Sequence, residues 1–157
     1  MNQLVSAIEE AFPSIEWGDR PLTISSIAED IEGAEKVFGR RPWTSIDTVA
    51  LRESIDTMLL LTPEARVFYL PAFACLLAGD TEQTWDVLYD YFLGTLTPYD
   101  GPFAALREIW ERVELLEPCQ KRALMAVQEQ IDMDLEGAEI PEDIKRMDYW
   151  KKWKASK

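Results

Sequence analysis

A chain of 157 residues with 47% hydrophobic and 11% aromatic content has the size of one domain and enough apolar material for a core without staples, which excludes a disordered chain and argues against several domains. Its 29 acidic against 16 basic residues leave a formal net charge of -13, a balance that repels nucleic acid and anionic membranes and attracts basic partners or cations. There is no histidine, which removes histidine-activated serine and cysteine nucleophiles and most zinc sites.

Leu4, Val5, Ile8 and Phe12 predict a first amphipathic helix, stopped by Pro13. The same stretch has no basic start and is interrupted by Glu9 and Glu10, so it does not read as a signal peptide. Ile15 to Pro21 is a turn or loop. Ile24, Ile27, Ile31, Ala34 and Phe38 then predict a second helix, with Glu29, Asp30, Glu32 and Glu35 outside its stripe and Gly39 as its cap. Gly33 within it costs roughly 1 kcal/mol relative to alanine. Arg40-Arg41-Pro42-Trp43 is a basic turn. Thr44 with Asp47 resembles a capping box, opening a helix with Leu51, Ile55 and Leu59 on one face.

The longest apolar run follows, Leu60 to Leu77. Thr62 as N-cap, Pro63 at the first helical position and Glu64 beside the positive end of the dipole predict a helix start there. Val67, Leu70, Phe73, Ala74 and Leu77 recur at helical spacing, while Phe68, Tyr69, Ala72, Cys75 and Leu76 widen the apolar surface almost all round, so other helices must wrap it. Pro71 removes one N–H and crowds the preceding turn, which predicts a kink or break. Glu64, Arg66 and that proline argue against a membrane span of the same length.

Gly79-Asp80-Thr81 ends the run. Trp85, Leu88, Tyr89 and Phe92 line the next helix as far as Gly94, and Phe103, Leu106, Trp110 and Val113 form another after the loop LTPYDGP. Pro118 starts a helix with Leu124, Val127, Ile131 and Leu135 inward. Gly137 and Pro141 precede a last helix with Ile144, Met147, Tyr149, Trp150 and Trp153. No run alternates with period two over strand length. The expected fold is all-α, a single compact multi-helix domain over residues 1–150 around the central Pro-kinked apolar helix, with a basic C-terminal tail over 151–157. Cys75 and Cys119 make no disulfide framework, which points to a reducing cytoplasm.

The phrases FGRRPWTSI (Phe38–Ile46), LLTPEARVFYLPAF (Leu60–Phe73) and LEPCQKRAL (Leu116–Leu124) resemble a widespread bacterial family of small, uncharacterised all-helical proteins. Its pattern has a Gly-x-x-Trp segment, a Ser/Thr-Pro-Glu-Ala-x-x-Tyr-x-Leu-Pro-Ala block and a later Ser-Pro-x-Gln-like helix start. Thr62 to Ala72 is the specific part; Arg41-Pro42 before Trp43, Phe68 at the tyrosine place and Glu117 at the serine place depart from it. The resemblance implies a fold and no chemistry.

No cofactor motif or Gly-rich phosphate loop is present. With 29 acids, a pair of carboxylates near each other is expected by chance, and Cys119 near a helix start has no base beside it to activate it. Asp132, Asp134 and Glu136 with Gly137 sit at positions 1, 3, 5 and 6 of a calcium loop, yet Glu139 stands where an apolar residue is usual and Asp143 replaces the closing glutamate. More generally, Glu129, Asp132, Asp134, Glu136, Glu139, Glu142 and Asp143 accumulate with no basic residue between them. A solvated face is the plain account; a docking surface for a basic protein is the sharper one. Trp85 and Trp110 belong to core stripes, leaving Trp17, Trp43, Trp150 and Trp153, of which Trp43 and Trp150 are the anchor candidates. Lys151, Lys152, Lys154 and Lys157 concentrate in the tail, which could touch an acidic lipid or nucleic acid, although such a tail more often solvates the end of the chain or folds back onto the acidic body.

These features favour a non-enzymatic, acidic binding protein that neutralises a basic protein partner, most concretely a bacterial immunity protein or antitoxin inhibiting a toxin enzyme. The alternatives are a carboxylate-based calcium-binding or enzymatic module and a scaffolding, oligomer-forming subunit.

Overall fold

The computed structural model describes residues 2–79 and 87–134. Among them the protein is all-α, with nine α-helices, one 3-10 turn and no strand; a lone antiparallel bridge joins Thr23 to Leu61. No helix among the described residues is long and apolar enough to cross a membrane.

Helix α1 (Gln3–Ala11) starts on Asn2, whose side-chain oxygen accepts from the Leu4 N–H. The Asn2 amide donates to the Ala78 carbonyl at 2.7 Å, pinning the start of α1 to the end of the central stretch. Helix α2 (Ala28–Phe38) ends on Gly39 at φ 55°, the left-handed cap that glycine adopts without a Cβ penalty. After a 3-10 turn (Trp43–Ser45) come α3 (Thr48–Glu53) and α4 (Ile55–Met58).

The central run forms α5 (Pro63–Phe68) and α6 (Leu70–Gly79). The Thr62 hydroxyl accepts from the Ala65 N–H at 3.2 Å, and Pro63 occupies the first turn, so the start is the one its residues predict. The break falls at Tyr69, two residues before Pro71. Pro71 has no N–H for the Val67 carbonyl, and its ring crowds the turn before it. The ladder tightens instead, with the Ala72 N–H bonding the Tyr69 carbonyl at 3.0 Å. Leu70, Pro71, Ala72, Phe73 and Ala74 are buried in succession, which is possible only for a helix wrapped on all sides. Its neighbours include α1, α7 (Val87–Thr95) and α9 (Pro118–Asp134), while α8 (Ala104–Glu114) packs on α5.

The structure corrects several expectations. The helix predicted from Ile24 begins only at Ala28. The Ile24 N–H bonds the Leu60 carbonyl at 2.9 Å and the Thr62 N–H bonds the Leu22 carbonyl at 2.9 Å, so residues 22–24 run extended beside 60–62. Ile24, Ile27 and Ile31 are exposed rather than inward, and Ala34, Val37 and Phe38 form the buried face of α2. Thr44 caps nothing: its hydroxyl pairs with that of Ser14 at 2.6 Å, and Asp47 caps α3 by accepting from Val49 and Ala50. Leu59, Phe103 and Leu106 are likewise exposed, while Trp110 and Val113 are buried as their stripe requires. Cys75 and Cys119 are both free thiols. Trp85, Leu135, the predicted last helix and the tail lie outside the described residues.

Candidate functional site

Of the predicted acidic face, Glu129 is exposed on α9, whose Leu124, Val127 and Ile131 point into the core. Asp132 and Asp134 belong to the last turn of α9; Glu136, Glu139, Glu142, Asp143 and Trp150 lie outside the described residues. The calcium-loop segment is therefore helical where its first two ligands stand. Among the described residues no group of three or more His, Cys, Asp or Glu side chains converges to hold a metal ion.

Trp43, one of the two anchor candidates, is largely buried at the groove. It is 5% exposed, and its indole N–H donates to the Pro13 carbonyl at 3.2 Å. The sequence left it off the core stripes; the hydrogen bond across to the loop after α1 holds it against the core. Trp17 is also buried, and its indole N–H donates to the Arg20 carbonyl at 2.7 Å.

The concave feature that these residues build is a groove of about 280 Å³ at the α5–α6 break. Phe12, Trp43, Phe68 and Pro71 form its apolar floor, and Ile15 and Leu115 stand at its edge, 54% and 81% exposed. Helix α9 contributes Gln120, and the turn before it Leu116. Two ion pairs fringe it, Arg20 with Glu64 and Arg112 with Glu108.

One wall is locked by chemistry that the sequence pattern hides. The Arg20 guanidinium stacks over the Trp17 ring, 3.8 Å from its centroid, and its Nε–H donates to the Trp17 carbonyl at 3.0 Å. Arg40 adopts φ 56°, a left-handed backbone uncommon for a residue with a Cβ. There it donates to the Gly18 and Arg20 carbonyls at 2.8 and 2.6 Å and pairs with Glu35. The Tyr69 hydroxyl donates to the Arg41 carbonyl at 2.9 Å, and burial pushes that phenol up to about 12. The Arg40-Arg41 turn thus clamps the 13–21 loop against the break in the central run.

A second buried polar cluster holds α5 to α7. The Arg66 Nε–H donates to the Thr95 hydroxyl at 2.7 Å, Nη2 donates to the Tyr91 carbonyl at 3.2 Å, and the guanidinium lies 4.0 Å from the Tyr91 ring centroid. Burial lowers the Arg66 pKa and raises that of Tyr91. These bonds leave Arg66 a fastener between helices.

The groove offers apolar surface, hydrogen-bond groups and paired ions. Its members escaped the sequence reading because four separate stretches supply them. The one available signal was the excess of apolar residues on α5, where Val67 and Phe68 exceed what a single buried face needs. No protein-family model, curated protein or solved structure matches the chain.

Proposed function

We propose that this is a non-enzymatic binding protein of the bacterial cytoplasm that neutralises a basic protein partner, most concretely an immunity protein or antitoxin blocking a toxic enzyme. The supporting observation is how the charges are distributed. Arg20, Arg40 and Arg112 are each tied to a carboxylate of their own chain, and Arg66 is packed against Tyr91 and Thr95. Carboxylates such as Glu9, Glu10, Glu16, Glu29, Glu32 and Glu53 are exposed. A surface on which arginines are neutralised by carboxylates of the same chain while further carboxylates stay exposed accelerates encounter with a basic protein and discourages acidic ones. The resemblance of the Thr62–Ala72 block to a bacterial family supports the source, and two free cysteines accord with a reducing compartment.

The test is capture of the partner on the immobilised full chain, its identification, and measurement of the association rate from low to high salt. A basic partner whose association slows steeply with salt is expected. An acidic partner, or a rate indifferent to salt, removes the basis of the reading.

A further inference from the structure

The groove at the α5–α6 break is concave and largely apolar, with Arg20, Arg112 and Glu64 in its lining, and the adjoining hollow that shares Arg112 and Leu115 with it adds Glu108 and Glu111. Glu16 adjoins Ile15; Glu111 precedes Leu115 by one helical turn, and Glu117 follows Leu116. Its volume of about 280 Å³ lies just below the roughly 300–1,000 Å³ of small-molecule sites, a size for one or two large side chains. The matching chemistry is present in the chain itself. Residues 149–157 read YWKKWKASK, with Trp150 and Trp153 three residues apart, four lysines and no acid.

The reach is sufficient. Leu116 and Gln120 place the groove at the N-terminal end of α9, and a rise of 1.5 Å per residue puts Asp134 about 24 Å away along that helix. The fifteen residues from Leu135 to Tyr149 span about 50 Å extended or about 22 Å as a helix. Gly137 and Pro141 supply turn-forming residues at the start of that span. A tethered segment meets its site at an effective concentration on the order of millimolar, an advantage that no free partner has.

We infer that the segment Tyr149–Lys157 docks on this groove in the same chain, seating its tryptophan pair against Phe68, Pro71 and Leu115 while its lysines meet the carboxylates of α8 and the 13–21 loop. This docking is independent of the proposed partner, and it covers an apolar edge that would otherwise face water.

The native thiols provide the test. Cys119 is exposed beside Gln120 at the groove, whereas Cys75 is half-buried and burial pushes its thiol up to about 12, so a thiol reagent at neutral pH reacts with Cys119 first. A nitroxide on Cys119 of the full chain, enriched with ¹⁵N, should broaden the indole N–H signals of Trp150 and Trp153, assigned by Trp150→Phe and Trp153→Phe. Trp43, which lines the groove, serves as the internal ruler. The double variant Ile15→Lys with Leu115→Lys alters two exposed edge residues; it should restore the Trp150 and Trp153 signals and leave Trp43 broadened. Sharp Trp150 and Trp153 signals in the unsubstituted chain would overturn the docking, as would unchanged broadening in the double variant. A mixture of spin-labelled, unenriched chain with unlabelled, enriched chain should show sharp signals. Broadening in that mixture would mean that the segment docks on a second copy, which also overturns it.

Discussion

The α5–α6 pair and α9 cover equal lengths of chain, Pro63–Gly79 and Pro118–Asp134, and meet in the core, yet they are exposed to different physics. On α6, five consecutive residues from Leu70 to Ala74 are buried. On α9 the buried set includes Leu124, Val127 and Ile131, while Arg122, Glu129 and Gln130 stay exposed. A run of consecutive buried residues leaves α6 little surface beyond Pro71 at the groove, so changes at its buried positions register chiefly as stability. A helix with one wet face can vary that face at little cost to the fold, so changes there register as encounter with other molecules.

The largest effect that tests this contrast comes from the surrounded helix. Leu70→Ala or Phe73→Ala, at positions with 0% exposure, should cost about 2–5 kcal/mol, because each removes transfer energy and leaves a cavity that close neighbours fill only partly. Urea midpoints of the two variants measure it. Midpoints equal to that of the parent would mean that the central run is not the core.

Alkaline pH should act on the same region. Burial raises the Tyr69 phenol from 10.0 to about 12 and the Cys75 thiol from 9.0 to about 12, and it raises Tyr91 as well. Each group holds its proton more tightly folded than unfolded. The stabilisation is therefore complete below the unfolded values and is lost as pH rises from about 9 towards 12. Denaturant midpoints should fall through that window, and Tyr69→Phe, which cannot ionise, should flatten part of the fall. An identical pH profile for that variant would assign the loss to other groups.

A smaller loss is expected at the start of α5. Thr62→Ala removes the hydroxyl that accepts from Ala65 and should cost about 1 kcal/mol. Thr62→Ser, which keeps an acceptor in place, should recover most of it. Equal midpoints for the alanine and serine variants would show that the cap contributes little here.

The contrast also marks what could be read without coordinates. The start of α5, the break before Pro71, the glycine cap of α2 and the inward stripe of α9 follow from local chemistry, because cap, proline and periodicity act within a few residues. The failures share one cause, a distant partner. Ile24 and Ile27 keep a helical period but stand outside the helix, since Leu60 and Leu61 claim the backbone beside Ile24. Trp43 is inside because Pro13 is 30 residues away in sequence and 3.2 Å away in space. The groove escaped for the same reason: the 13–21 loop, the central break and the α8–α9 turn have no local signature of meeting. Arg40 hid a different feature, a left-handed backbone at a residue that seldom adopts one.

The smallest effect on stability, and the one that speaks most directly to function, belongs to the wet side of α9. Glu129 is exposed on α9, and in the sequence Asp132 and Glu136 follow it by three and seven residues. Reversing Glu129, Asp132 and Glu136 to lysine leaves the buried residues of α9, Leu124, Val127 and Ile131, untouched, so stability should fall by less than about 1 kcal/mol. If a basic partner approaches this side, removing three negative charges and adding three positive ones weakens the attraction that guides its approach. Association should then slow and lose much of its salt dependence, while dissociation, governed by buried anchors, changes less. Stopped-flow association at several salt concentrations, beside urea midpoints for the same variant, separates the two effects. A stable variant with an unaltered association rate and salt slope would leave this side of α9 merely solvated and send the search for the partner's footprint to another face.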